Sequence, residues 1–232
     1  MNIGILECGH TMPEIAEEHG DFPEMFARLL DGYGFTFRAF DVENMVFPDT
    51  IRDCDGWLLT GSKHGAYDEL PFIAPLEDFI RNAYAASVPL VGICFGHQLI
   101  AQALGGQVEK FEGGWALGLT EYQFENGDSL KLNAWHQDQI LDLPQDATVL
   151  ASNAFCKHAA LVYGDKAYSI QPHPEFQGAI ISRYTKIRRG TLDYPDAGMD
   201  HAVRQAHLPD DNAAIAAQIA GFFKQPRELR HD

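Results

Sequence analysis

The stretch VGICFGHQLIAQALGG, residues 91 to 106, changes character partway along. Its opening residues form an apolar run of the kind a buried strand uses. From His97 onward the apolar residues recur at helical spacing, which puts Leu99, Ile100, Ala103 and Leu104 on one inward face and lets Gly105 or Gly106 end the helix. Cys94 therefore falls in the turn that joins strand to helix. A sharp turn of this kind strains its central residue and crowds the neighbours, so glycines two before (Gly92) and two after (Gly96) relieve contact. The placement also suits chemistry, because a thiol at a helix N-terminus meets unpaired N–H groups and the positive end of the helix dipole, which favour thiolate. An isolated cysteine is more often an inert buried side chain, but the flanking glycines point here to an exposed, activated nucleophile.

Outward from this turn, strand-like runs recur at NIGILE (2–7), FTFRAFDV (35–42), GWLLTG (56–61) and PLVGIC (89–94), separated by stretches of helical character. The alternation predicts βαβ units and a mainly parallel central sheet, an α/β arrangement. After Gly105 shorter candidates follow: QVEKFEG, LGLTEYQF, SLKLNAW, ALVYG and AYSIQPH, with turn signals ENGD and YGDK between them. These predict a smaller antiparallel sheet or hairpins beside the main one. In PDDNAAIAAQIAGFF, Asp210 or Asp211 can cap a final helix whose Ile215, Ile219, Phe222 and Phe223 share a face.

A cysteine nucleophile needs a base, and the base needs an orienting group. AYSIQPHPEF (167–176) places His173 just after a strand, with Pro172 and Pro174 stiffening the backbone and Glu175 two residues on. In extended chain, residues i and i+2 point to the same side, so the carboxylate reaches the imidazole and stabilises its charged form. In a doubly wound sheet the strand ends converge on one edge, which lets His173 meet Cys94.

Composition bounds the rest. The 232 residues are 46% hydrophobic, enough for one sizeable core, and a single domain over residues 1–232 is expected. Lys and Arg number 17 against 33 Asp and Glu, a net charge of −16. Such a surface repels phosphate backbones and anionic lipid, which argues against nucleic-acid or membrane partners. The N-terminus MNIGILECGH has no basic flank or long apolar run, so a cytoplasmic location is the default expectation. Cys8, Cys54, Cys94 and Cys156 are scattered, which fits neither a zinc motif nor a disulfide framework. His10, His64 and His97 belong to no metal-ligand spacing and are expected to be polar residues, the latter two near the pocket. No phosphate-loop motif is present. The basic cluster KIRR (186–189) reads as a solvated helix face, or as a docking surface for a partner.

Taken together, GICFGHQLIAQALGG and QPHPEF resemble the class I glutamine amidotransferase family, over roughly residues 55 to 180. The resemblance implies that family's flavodoxin-like fold, a mixed, mainly parallel α/β sheet flanked by helices, and a Cys94, His173, Glu175 triad, with no metal or organic cofactor. It implies an oxyanion hole from the Gly61 or Ser62 N–H, in LLTGSKHGAYD (58–68), joined by the Phe95 N–H. Gln98 corresponds to a family glutamine that contacts the amino-acid end of the substrate. Trp135, His136 and Gln137, in NAWHQDQILDLP (133–144), correspond to the segment whose main chain holds that same end. Three functions follow as expectations: release of ammonia from glutamine for a synthase partner, free-standing hydrolysis of γ-glutamyl peptides or amides, and a silent binding role that the complete triad opposes. The chain after the H-P-E segment is too short for a synthetase domain, so a complete GMP synthetase is not expected. Ser62 and Lys63 stand where the amidotransferase domain of that enzyme has a glycine and a proline, and SKHGAYDELPFI (62–73) looks more like the free-standing γ-glutamyl hydrolase branch.

Overall fold

The computed structural model describes residues 1–191 and 194–227. In chain order the elements are β1 (Asn2–Leu6), α1 (Pro13–His19), α2 (Phe22–Leu29), β2 (Thr36–Phe40), β3 (Gly56–Leu59), α3 (Ile73–Ala85), β4 (Leu90–Ile93) and α4 (Phe95–Ala103). There follow β5 (Gln107–Lys110), β6 (Ala116–Phe124), β7 (Ser129–His136), β8 (Asp138–Asp142), β9 (Thr148–Ser152), β10 (Ala160–Tyr163) and β11 (Ala167–Ile170). The chain closes with α5 (Gly178–Arg188), α6 (Asp196–Gln205) and α7 (Asn212–Lys224).

Nine strands form one mixed sheet in the order β2-β1-β3-β4-β11-β10-β9-β6-β7, and β5 pairs with β8 in a small antiparallel sheet. The strands from β2 to β11 in that order are parallel, and the strands beyond β11 are antiparallel. Most of the antiparallel strands read in the second half of the sequence thus extend the main sheet rather than stand apart from it. β3, β4 and β11 are buried along their whole length, as strands covered on both faces must be. Alternate residues divide between two cores. Leu58, Val91 and Ile93 face the layer that includes α2, α5 and α7, whereas Trp57, Leu59 and Leu90 face α3 and α4.

Two helix ends refine the sequence reading. After α4, Gly105 adopts φ +98°, its N–H bonds Gln102 O at 3.0 Å, and the Gly106 N–H bonds Ala101 O at 2.8 Å. Both glycines therefore make the stop together, as a Schellman motif. Leu104, expected inward, is only partly buried because it follows the last helical turn. At α7 the face of Ile215, Ile219, Phe222 and Phe223 is buried as expected. Asp211 occupies the cap position but makes no capping bond. Its carboxylate accepts the Lys131 N–H at 2.7 Å instead, tying α7 to β7.

Candidate functional site

Registers align the parallel strands so that their carboxyl ends share one edge: Leu59 pairs with Gly92, and Ile93 with Ile170. The residues that follow β3, β4 and β11 meet there, as ligand sites of open α/β sheets do. Cys94 is the turn between β4 and α4, with φ 52° and ψ −101°. This positive φ in a non-glycine residue is backbone strain that its surroundings must enforce. Enforcement is visible at the two glycines. A Cβ on Gly92 would lie 2.5 Å from Gly96 O, and one on Gly96 would lie 2.5 Å from Leu59 O. The Cys94 N–H donates to Ile170 O at 2.9 Å, and the Gly96 N–H to Thr60 O at 3.1 Å, so both neighbouring strands grip the turn.

The expectation of an exposed Cys94 is corrected: it is 6% exposed, because the turn is packed between β3 and β11, and it meets solvent only through a cavity. His173 faces it. The imidazole Nδ1 lies 2.6 Å from Glu175 Oε1. A carboxylate only accepts, so Nδ1 carries the proton and the other ring nitrogen is left for Cys94, with which His173 interacts. Burial opposes the charged imidazole, but the Glu175 carboxylate and the Cys94 thiolate outweigh it and raise its pKa to about 10. The ring is further clamped by Phe176, stacked at 4.3 Å, and by Gly61, where a Cβ would come within 2.9 Å of His173 Cε1. Its backbone N–H donates to Asn133 O at 2.8 Å, so β7 holds the histidine segment too.

All four cysteines are free. Burial pushes the Cys156 thiol up to about 12 and raises Cys8 and Cys54 as well. They are core residues, as the sequence suggested.

Around Cys94 and His173 opens a cavity of about 770 Å³, lined also by Ser62, Phe95, Gln98, Trp135, His136 and Gln137. Phe95 begins α4, so its N–H is one of the helix's unpartnered first-turn donors. Gln98 lines the cavity with its amide nitrogen already engaged. Its amide nitrogen donates to Asp138 O at 2.8 Å and Gln171 Oε1 at 3.1 Å, and Gln171 in turn donates toward Cys94 Sγ at 3.6 Å. Gln171 escaped the sequence reading, although it lies two residues before His173 by the same period that brings Glu175 alongside. His136 Nδ1 lies 3.2 Å from Asp138 O, while its Nε2 is buried without a partner. Burial pushes its pKa down to about 3, so the ring is neutral and Nε2 is an acceptor.

The remaining histidines separate. His64 lines the cavity and meets Glu43 Oε1 at 2.7 Å. His97, expected near the pocket, is fully buried between Ser169 Oγ at 2.7 Å and His158 O at 2.9 Å, a packing role. His10 is ringed by carboxylates, with Asp21 at 2.9 Å, Asp41 at 3.3 Å and Glu7 at 3.4 Å. The KIRR cluster is not one solvated face. Arg188 lines the cavity, and Arg189 pairs with Asp200 at 2.7 Å and Asp196 at 3.5 Å. Among the described residues no helix is long and apolar enough to cross a membrane.

The fold and this edge define an α/β protein of the kind expected from the two motifs. The chain belongs to the glutamine amidotransferase class-I family, whose model matches residues 35–181. Gamma-glutamyl peptidase 4 of Arabidopsis thaliana is 31% identical over 70% of this chain and 71% of its own length. A GMP synthase (glutamine-hydrolyzing) subunit of Methanosphaera stadtmanae is 31% identical over 66% of this chain and 88% of its own. The solved structure of a glutamine amidotransferase from Methylobacillus flagellatus shares the fold with a TM-score of 0.77 at 22% identity, covering 100% of this chain and 98% of that one.

Proposed function

We propose that this chain hydrolyses γ-glutamyl amide bonds through Cys94, His173 and Glu175, with glutamine its simplest substrate and no metal or organic cofactor. The observation that carries the proposal is the strained turn that aims Cys94 at a histidine whose other nitrogen is held 2.6 Å from a buried carboxylate. A thiolate at Cys94 attacks the side-chain carbonyl, and the Phe95 N–H with that of Gly61 or Ser62 stabilises the oxyanion. The C–N bond breaks as His173 protonates the leaving nitrogen. Water, deprotonated by His173, then cleaves the γ-glutamyl thioester to glutamate and restores the thiol.

The cavity supports a division of labour around that carbon. For the amino-acid end of the substrate, the neutral Nε2 of His136 and the carboxylate of Asp138 suit the α-ammonium, with Gln137 beside them. Trp135 also lines the cavity. Gln98 serves as a positioning residue, because it orients Gln171 against the thiol.

Delivery of ammonia to a synthase is the second reading, favoured by the similarity to the GMP synthase subunit of Methanosphaera stadtmanae. Against docking through KIRR stands the engagement of Arg189 with α6. Glutamate release by the purified protein from glutamine and γ-glutamyl peptides, with Cys94→Ala as control, tests the proposal. Turnover that vanishes in the variant is expected. Turnover retained in the variant would overturn the triad, and activity only after adding a co-purifying synthase would favour the second reading.

A further inference from the structure

The cavity exceeds what a free amino acid needs. Sites that hold drug-sized ligands span roughly 300–1,000 Å³, and this one lies in the upper part of that range at about 770 Å³. Part of its wall is aromatic. A chain of rings starts on the base itself: Phe176 stacks on His173 at 4.3 Å, Tyr184 lies 5.2 Å from Phe176, and Trp135 lies 5.3 Å from Tyr184. Tyr194 continues it 5.6 Å from Trp135, and Trp115 ends it 4.4 Å from Tyr194.

Lys63, Lys110 and Arg188 line the cavity, and Lys63 is paired with Glu43 at 2.9 Å. Arg188, the last residue of α5, lines the cavity one helical turn after Tyr184, which lines it too. Among the described residues no carboxylate pairs with Arg188, and its Nε is buried without a hydrogen-bond partner. The indole Nε1 of Trp115, another lining residue, is likewise a buried donor without an acceptor. Buried donors of this kind cost free energy unless something accepts from them. An unpaired guanidinium is also out of character in a chain of net charge −16. The acceptor that best suits it is a carboxylate, which a guanidinium fork holds by two parallel bonds.

The leaving nitrogen takes its proton from His173, so the amine part of a substrate must lie on the imidazole's side, where the rings begin. We propose that this compartment selects γ-glutamyl conjugates whose amine part is an aromatic amino acid, with its ring against Trp115, Trp135 and Tyr194 and its carboxylate on Arg188. The inference deepens the γ-glutamyl hydrolase reading and rests on it. Hydrolysis consumes one water: the amide C–N bond breaks, the thioester forms and is cleaved, and glutamate and the free aromatic amino acid depart.

The test compares kcat/KM for γ-glutamyl-phenylalanine, γ-glutamyl-phenylalaninamide, γ-glutamyl-alanine and glutamine, in the unaltered protein and in Arg188→Gln. The phenylalanine conjugate is expected to exceed both its amide and the alanine conjugate by about tenfold or more, chiefly through KM. Arg188→Gln is expected to erase the preference over the amide and keep the preference over alanine. Equal rates for all conjugates in the unaltered protein would overturn the inference while leaving the hydrolase reading intact, and this arm needs no variant to fold. A uniform loss on every substrate in Arg188→Gln would also overturn it, since a structural role predicts that. If the unaltered protein cleaves nothing, the hydrolase reading fails and calorimetric titration with γ-glutamyl-phenylalanine decides the compartment. Binding that Arg188→Gln abolishes would uphold it, and no binding would sink it.

Discussion

At the scale of the residue, the proposed chemistry depends on two side chains held against their own preferences. Cys94 keeps a positive φ, and His173 keeps a proton while buried. Cys94→Ala is expected to lower glutamate release by roughly a thousandfold or more, with the cooperative melt retained. His173 offers a sign as well as a size. Its folded pKa of about 10 lies above the ordinary value near 6.5, so the protonated imidazole stabilises the fold fully below that ordinary value and the contribution fades as pH rises through about 10. The same deprotonation removes the acid that the leaving nitrogen needs. An alkaline decline of kcat/KM centred near pH 10 is expected, and Glu175→Gln should move it toward the ordinary histidine range because the raising carboxylate is gone. A profile that stays put in Glu175→Gln would show that another group sets it. These two residues and Glu175 were legible because each motif is local: a turn that requires glycines on both sides, and a two-residue period. Gln171 shares the second motif and was missed because an amide carries no chemical signature of its own.

At the scale of the element, the elbow fails or holds as a unit of β3, β4 and α4. Gly96→Ala would push a methyl group against Leu59 O and Leu59 Cβ, which lies 2.6 Å away, and neither atom can yield without moving β3. A loss of about 1–3 kcal/mol, read as a lower urea midpoint, is expected, together with a larger loss of activity than of stability. The face of α7 makes a control far from the chemistry. Ile219→Ala, at a fully buried position, is expected to cost about 2–5 kcal/mol in the same titration with kcat/KM little changed under folding conditions. The early parallel strands were readable as apolar runs because burial on both faces demands such runs. β8 and β9 were not, since their half-exposed patterns resemble loops until the partner strand is in place. The ring chain was equally illegible: Trp115, Trp135, Tyr184 and Tyr194 come from segments that only tertiary packing brings together.

At the scale of the whole molecule, the four cysteines make a map of access. Cys8, Cys54 and Cys156 have raised thiol pKa values from burial, and Cys94 alone among them opens on the cavity. Brief treatment of the native protein with iodoacetamide is expected to label one thiol per chain, to remove activity in step, and to label none in Cys94→Ala. Labelling of several thiols at similar rates would contradict that map. The strand order carries a further consequence. β11 comes last in the chain yet sits between β4 and β10, so the sheet stays open at its middle until residue 170 has been made. A ribosome-bound chain that has finished β4 exposes LVGI with a bare hydrogen-bonding edge, and the insertion that covers this edge also brings in His173. Nascent chains thus carry their greatest risk of self-association just before Cys94 gains His173 as its neighbour, and refolding should restore any turnover only with the slowest, most non-local step.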